Sequence, residues 1–223
     1  MNAIAWALNS VRGRGLVQTV KVAASVVADL SFDWQHGTST MRWVDADDFG
    51  AVGDNLVYSE EYRATKARPL WTLLRSLDLP RKSGFVDLGA GKGRVLLIAA
   101  QYGFRKIVGV EFSPRLCEYA RRNLQIFKER SWAPIEIDIV QSDVTTYPIQ
   151  SNQDVFFMYN PFGEVVVAQV LANLRRSVEI SPRRIWLIYN TPTQHDLIAK
   201  SEIFRDQFDR NIGGTHFRVY SNK

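Results

Sequence analysis

Three glycines at alternate positions, Gly89, Gly91 and Gly93, follow a short apolar run carrying one acid, Asp87, in "FVDLGAGKGR". Glycine permits positive φ and lets a ligand approach the backbone closely. A strand-to-helix turn of this kind holds part of a nucleotide in several folds. A dinucleotide fingerprint would put its third glycine at position 94, where Arg94 stands, and a phosphate loop of the G-x-x-x-x-G-K-[ST] type does not fit either. Asp87 would oppose a pyrophosphate by an amount on the order of 1 kcal/mol or more if partly desolvated. It would welcome an ammonium group. The loop therefore suits a nucleoside with a cationic tail.

Three more stretches carry polar or unusual residues. Glu111 ends the apolar run of "VGVEFSP", about 20 residues past the loop, where an acid accepts hydrogen bonds from ribose hydroxyls. Ser142 and Asp143 follow the run in "IVQSDV", and an acid there can accept from an exocyclic adenine amine. "YNPFG", Tyr159–Gly163, closes a fourth run. Each has a plainer reading. Asp143 alone suits a turn cap, Asn160-Pro161 a turn start, and Glu111 the cap of a helix near Pro114. Four such ends in succession are harder to explain by turns alone.

The elements that must position these residues alternate. Strands are expected at 85–88, 106–111, 135–141, 155–159 and 184–189, and helices at 94–102, 114–129, 165–178 and 194–203. Such alternation argues for an α/β fold with a parallel sheet covered on both faces. Strands at 208–211 and 216–220 around Gly213-Gly214 break it and predict an antiparallel hairpin at the edge. Before residue 84 the pattern predicts an N-terminal helix, a loop-rich stretch over about 33–58, and a helix over about 60–77. The organisation expected is a helical and loop extension, residues 1–55, on one domain, residues 56–223.

In this order and spacing "VDLGAGKGR", "GVEFSP", "QSDV" and "YNPFG" resemble the class I S-adenosylmethionine-dependent methyltransferases. The resemblance implies a Rossmann-like, doubly wound sheet of seven strands, mostly parallel with an antiparallel C-terminal strand. It implies that Asp87, Gly89, Ala90, Gly91 and Gly93 hold the methionine part of S-adenosylmethionine, and that Glu111 holds the ribose. Ser142 and Asp143 would then take the adenine amine, with Phe112 and Val144 on the ring. Tyr58, and in a second reading Tyr62, would lie over the cofactor. Asn160-Pro161-Phe162 resembles the [Asn/Asp]-Pro-Pro-[Tyr/Phe] signature of amino-group methyltransferases, with one proline instead of two. There the amide and a proline carbonyl accept the amine's hydrogens. A related strand end, and a stretch loosely like "NLVYSEEY", occur in the histone-lysine methyltransferases that lack a SET fold. The acceptor expected is an amine, a protein lysine or another alkyl amine. The alternative is an oxygen on a small molecule or glycan, with His195 as base.

Composition bounds the remaining readings. With 223 residues, 46% of them hydrophobic, the chain is long and apolar enough for a full core. A net charge of +5 permits an acidic partner without demanding one. No dense basic-aromatic patch points to nucleic acid. The single cysteine, Cys117, forms no intrachain disulfide and fits a cytoplasmic setting. His36, His195 and His216 match no metal spacing. An NAD-dependent oxidoreductase is disfavoured by Asp87 and the missing third glycine, and a non-catalytic protein by the completeness of the cofactor positions. Leu16, Val17, Val20, Ala24 and Val27 recur at helical spacing, with Arg12, Arg14 and Lys21 before the first acid. That pattern is read first as a helix packed on the domain, with a helix lying on a membrane surface or an organelle presequence as the alternative.

Overall fold

The computed structural model describes residues 16–41, 64–131, 134–159 and 162–222. The elements are α1 (Leu16–His36), α2 (Ala67–Ser76), β1 (Gly84–Leu88), α3 (Arg94–Tyr102), β2 (Lys106–Glu111), α4 (Pro114–Arg130), β3 (Glu136–Gln141), β4 (Gln153–Tyr159), α5 (Glu164–Ile180), β5 (Trp186–Asn190), α6 (His195–Lys200), β6 (Asp206–Ile212) and β7 (Thr215–Ser221). They build one seven-stranded sheet in the order β3-β2-β1-β4-β5-β7-β6. The first five strands pair in parallel. β7 runs antiparallel to both of its neighbours, so the expected hairpin inserts its second strand beside β5 and leaves β6 at the edge.

Each face of the sheet carries its own apolar layer. Phe85, Ile107, Phe157 and Ile188 meet Leu70, Leu73, Leu96 and Leu124 of α2, α3 and α4. Val86, Val110, Phe156 and Leu187 meet Val167, Leu171 and Leu174 of α5 on the other face. Residues of β1 and β4 are buried on both faces, which explains the unbroken apolar run of β4 from Val155 and the one of β1, interrupted only by Asp87.

The N-terminal helix departs from its sequence pattern. Val20 and Val27 are exposed, while Thr19, Asp29, Phe32 and Asp33 face inward. The reason is Arg94. Its guanidinium, 2% exposed, donates to Asp29 Oδ1 at 2.9 Å, to Thr40 Oγ1 at 2.7 Å and to the Thr65 carbonyl at 2.8 Å. It also lies 3.4 Å from Asp33 Oδ1 and over the Phe32 ring. Asp29 Oδ1 accepts from the Ala67 amide at 2.9 Å, doing for the start of α2 what its own Lys66 does not. Asp33 accepts from Thr38, Thr40 and Met41, which turns the chain after α1.

Three helix limits differ from expectation by three residues or more. α1 runs on to His36, into the stretch expected to be loop, because Asp33 organises the turn that follows it. Lys66 is extended and α2 starts at Ala67. α6 stops at Lys200, since Glu202 takes a positive φ of 55°. The boundary at residue 55 lies outside the described residues. Among the described residues no helix is long and apolar enough to cross a membrane.

Removing one partner from a buried ion pair strands the other charge, at roughly 3–5 kcal/mol. Arg94→Met should therefore lower stability by about that much in urea unfolding, with Arg94→Lys falling between. A loss below about 1 kcal/mol would show that α1 does not fold with the domain.

Candidate active site

The carboxyl ends of β1 to β5 open on one edge of the sheet, where open α/β folds bind ligands. Gly89, Gly91 and Gly93 all take positive φ, 83°, 53° and 82°. The loop is sewn to β2: the Gly89 and Ala90 amides both donate to the Val110 carbonyl. Gly109, opposite Asp87 in the register, makes this possible. A Cβ there would come within 2.7 Å of the Ala90 and Ile139 side chains. Nothing in the motif reading singled out Gly109; its signal was a lone glycine inside a strand pattern.

Glu111 is buried, and both its oxygens are held. Oε2 accepts from the Gly91 amide and Oε1 from the Ser113 amide, each at 2.9 Å. Burial pushes its carboxyl above the ordinary range, while the amides of Ser113, Gly91 and Phe112 pull it back. Asp87, 2% exposed, is pushed well above the ordinary range, first by burial and then by the Glu111 charge. The structure thus brings Asp87, Gly89, Ala90, Gly91, Gly93 and Glu111 together. The pair suits a ligand with hydroxyls and a cation.

At the end of β3, Asp143 Oδ1 accepts from the amide and hydroxyl of Thr145, at 2.8 and 2.7 Å. That oxygen caps its own turn, the plainer of the two readings. Ser142 Oγ donates to the Asp143 carbonyl. Val144 is buried in the α5-side layer, and Phe112 is half-buried directly after Glu111. Phe162, half-buried, packs on the same layer as Val144. Tyr58, Tyr62, Asn160 and Pro161 lie outside the described residues.

His195, the candidate base, has Nδ1 3.0 Å from the Tyr220 hydroxyl and stacks on that ring. Cys117 is fully buried; its thiol donates to the Glu111 carbonyl and is pushed up to about 11, mainly by burial. Among the described residues no cluster of His, Cys, Asp and Glu could hold a metal ion. Two features escaped the sequence reading. Lys92, inside the loop, is 2% exposed, with its ammonium 4.8 Å from the Tyr119 ring. Thr191, just past buried Asn190 at the end of β5, holds a positive φ of 55°, a strained state for a β-branched residue.

Comparison with known proteins agrees with the geometry. Residues 85–180 match the family described as "Methyltransferase domain". A ribosomal protein L11 methyltransferase of Alteromonas mediterranea is 28% identical over 116 residues, 48% of this chain; the chain spans only 39% of that protein. The solved ribosomal protein L11 methylase of Lactobacillus delbrueckii subsp. bulgaricus superposes with a TM-score of 0.55 at 12% identity, over 73% of this chain and 81% of that one. An RNA methyltransferase from Salinibacter ruber, solved with S-adenosyl-L-homocysteine, gives 0.50 at 19%, over 72% and 93%. The fold is the seven-stranded, Rossmann-like one, and over residues 85–180 the chain is similar to the class I S-adenosylmethionine-dependent methyltransferases. S-adenosylmethionine is the cofactor of that class, and the buried acids and glycine loop fit it.

An acid whose folded pKa is raised binds protons more tightly when folded, so stability falls as pH rises from its ordinary value through the raised one. Asp87→Asn should therefore raise the cofactor-free Tm at pH 7, with the gain shrinking toward pH 4 as the wild-type carboxyl takes its proton. A variant less stable than wild type at pH 7 would contradict the buried-charge account.

Proposed function

We propose that this chain moves a methyl group from S-adenosylmethionine to an amine, a lysine of a protein or another alkyl amine. The observation that carries the reading is the buried Asp87–Glu111 pair against a glycine loop of positive φ. When bound, the cofactor supplies an electrophilic methyl on a sulfonium. Asp87 takes the ammonium of its amino-acid part, beside the backbone of Gly89, Ala90, Gly91 and Gly93. Glu111 takes the ribose hydroxyls, Ser142 and Asp143 the adenine amine, and Phe112 and Val144 the ring. Tyr58 covers the cofactor.

Asn160 and the Pro161 carbonyl accept hydrogens from the acceptor amine, so its lone pair faces the methyl group. Phe162 lies beside the developing charge, where an aromatic face contributes roughly 0.5–2 kcal/mol. Held there, the sulfonium would supply its methyl group to the nitrogen and leave neutral, with the amine proton passing to solvent. Catalysis is then mainly positioning. A protein acceptor is supported by the L11 methyltransferase relative. Transfer to oxygen, with His195 as base, is the second reading. In this reading residues 1–55 form an extension on a catalytic domain of residues 56–223, nucleic acid is not the acceptor, and the enzyme works in the cytoplasm.

Glu111→Ala should weaken S-adenosylmethionine binding at least tenfold in calorimetry, about 1.4 kcal/mol. Asn160→Ala should lower turnover of a labelled methyl group at least tenfold while changing cofactor affinity less than threefold. The reverse pattern at Asn160 would assign it to the cofactor, and unchanged affinity at Glu111 would move the site elsewhere. Label entering RNA or small molecules of a lysate, with none in protein, would overturn the protein acceptor.

A further inference from the structure

The outward face of α1 has no part in the site above. Val20, Val27, Leu30 and Trp34 are 58%, 65%, 54% and 84% exposed. They recur at intervals of seven, three and four residues, which aligns them in one stripe roughly 21 Å long at the rise of an α-helix. Isolated exposed apolar residues are ordinary, but four on one face of a helix, ending in a tryptophan, are not.

Charge selects the occupant. The first 41 residues contain two acids, Asp29 and Asp33, and both turn inward to Arg94. The same stretch of sequence carries Arg12, Arg14 and Lys21. Beside the last turn of α1, just past Trp34, lies a groove of about 410 Å³ whose lining includes Gln35, His36, Gln101, Arg105 and Arg130. Its two guanidinium groups suit a phosphate. A second copy of the chain suits the stripe less well. A helix pair with this seam would want opposite charges flanking it, and the flanking sequence positions are Thr19, Ala24, Val26, Ser31 and Asp33, of which the one charged residue, Asp33, is committed to Arg94.

From this juxtaposition we infer that α1 docks the protein on the surface of a bilayer rich in anionic phospholipid, with the apolar stripe at the level of the acyl chains and the Arg105–Arg130 groove on a headgroup phosphate. The helix lies in the interface and does not cross it, in keeping with its composition. Tryptophan favours that depth because its ring is amphipathic. The inference goes beyond methyl transfer and does not depend on it.

The test is co-sedimentation of the full chain with phosphatidylcholine vesicles, with and without about a third phosphatidylglycerol. The expected result is binding to the anionic vesicles at least tenfold tighter than to the neutral ones. The triple variant Val27→Ser, Leu30→Ser, Trp34→Ser should lose at least tenfold, and Arg105→Glu with Arg130→Glu at least fivefold. All three residues of the triple variant are exposed, so its Tm and its S-adenosylmethionine affinity should match wild type, which keeps this inference separable from the catalytic reading. Binding to neither vesicle, equal binding to both, or binding that survives the triple variant would overturn it. A concentration-dependent dimer that the triple variant dissolves, without vesicle binding, would assign the stripe to a second copy instead.

Discussion

Two carboxylates buried side by side beneath a glycine loop are an expensive arrangement. Burial and mutual repulsion both push the proton affinity of Asp87 up. At Glu111 the three backbone amides oppose burial without cancelling it. Much of the surrounding structure serves to keep this pair in place. The Gly91 and Ser113 amides fix Glu111, and the Val110 carbonyl fixes the loop above it. Gly109 lets Ala90 sit directly on β2. A ligand bringing positive charge and ribose hydroxyls would reverse the penalty at the moment of binding, so recognition and electrostatic relief become one event.

Seven residues along the chain the opposite solution appears. Arg94 is as buried as Asp87, yet it is matched within the protein by Asp29, Asp33, Thr40 and Thr65. The glycine loop is therefore bounded by one charge cluster that is compensated internally and another whose compensation suits a ligand. The first cluster fastens α1, the turn after it and the start of α2 to the N-terminus of α3. It thereby makes α1 part of the loop's support, and it turns Val20, Val27, Leu30 and Trp34 outward.

Much of the sheet was legible in the sequence because strands buried on both faces read as continuous apolar runs, as in Val155–Tyr159. The Gly213-Gly214 pair likewise marked the closing hairpin. Asp87, the loop glycines and Glu111 were legible because their spacing along the chain becomes adjacency at one sheet edge. The inward face of α1 was not legible. Periodicity assumes that apolar residues turn inward, and here a buried guanidinium 61 residues from Asp33 reversed the rule. Arg94 itself looked only like a glycine out of place. The helical start expected near residue 60 failed at Lys66 because the Ala67 amide finds its acceptor on Asp29, a contact no local pattern encodes.

The central claim is that the Asp87–Glu111 pair exchanges protons for a cationic cofactor. The direct measurement is calorimetry of S-adenosylmethionine binding at mildly acidic pH in buffers of different ionisation enthalpy. The account predicts net proton release on binding, diminishing as pH rises and largely lost in Asp87→Asn. Binding with no proton release at any pH from mildly acidic to neutral would contradict it.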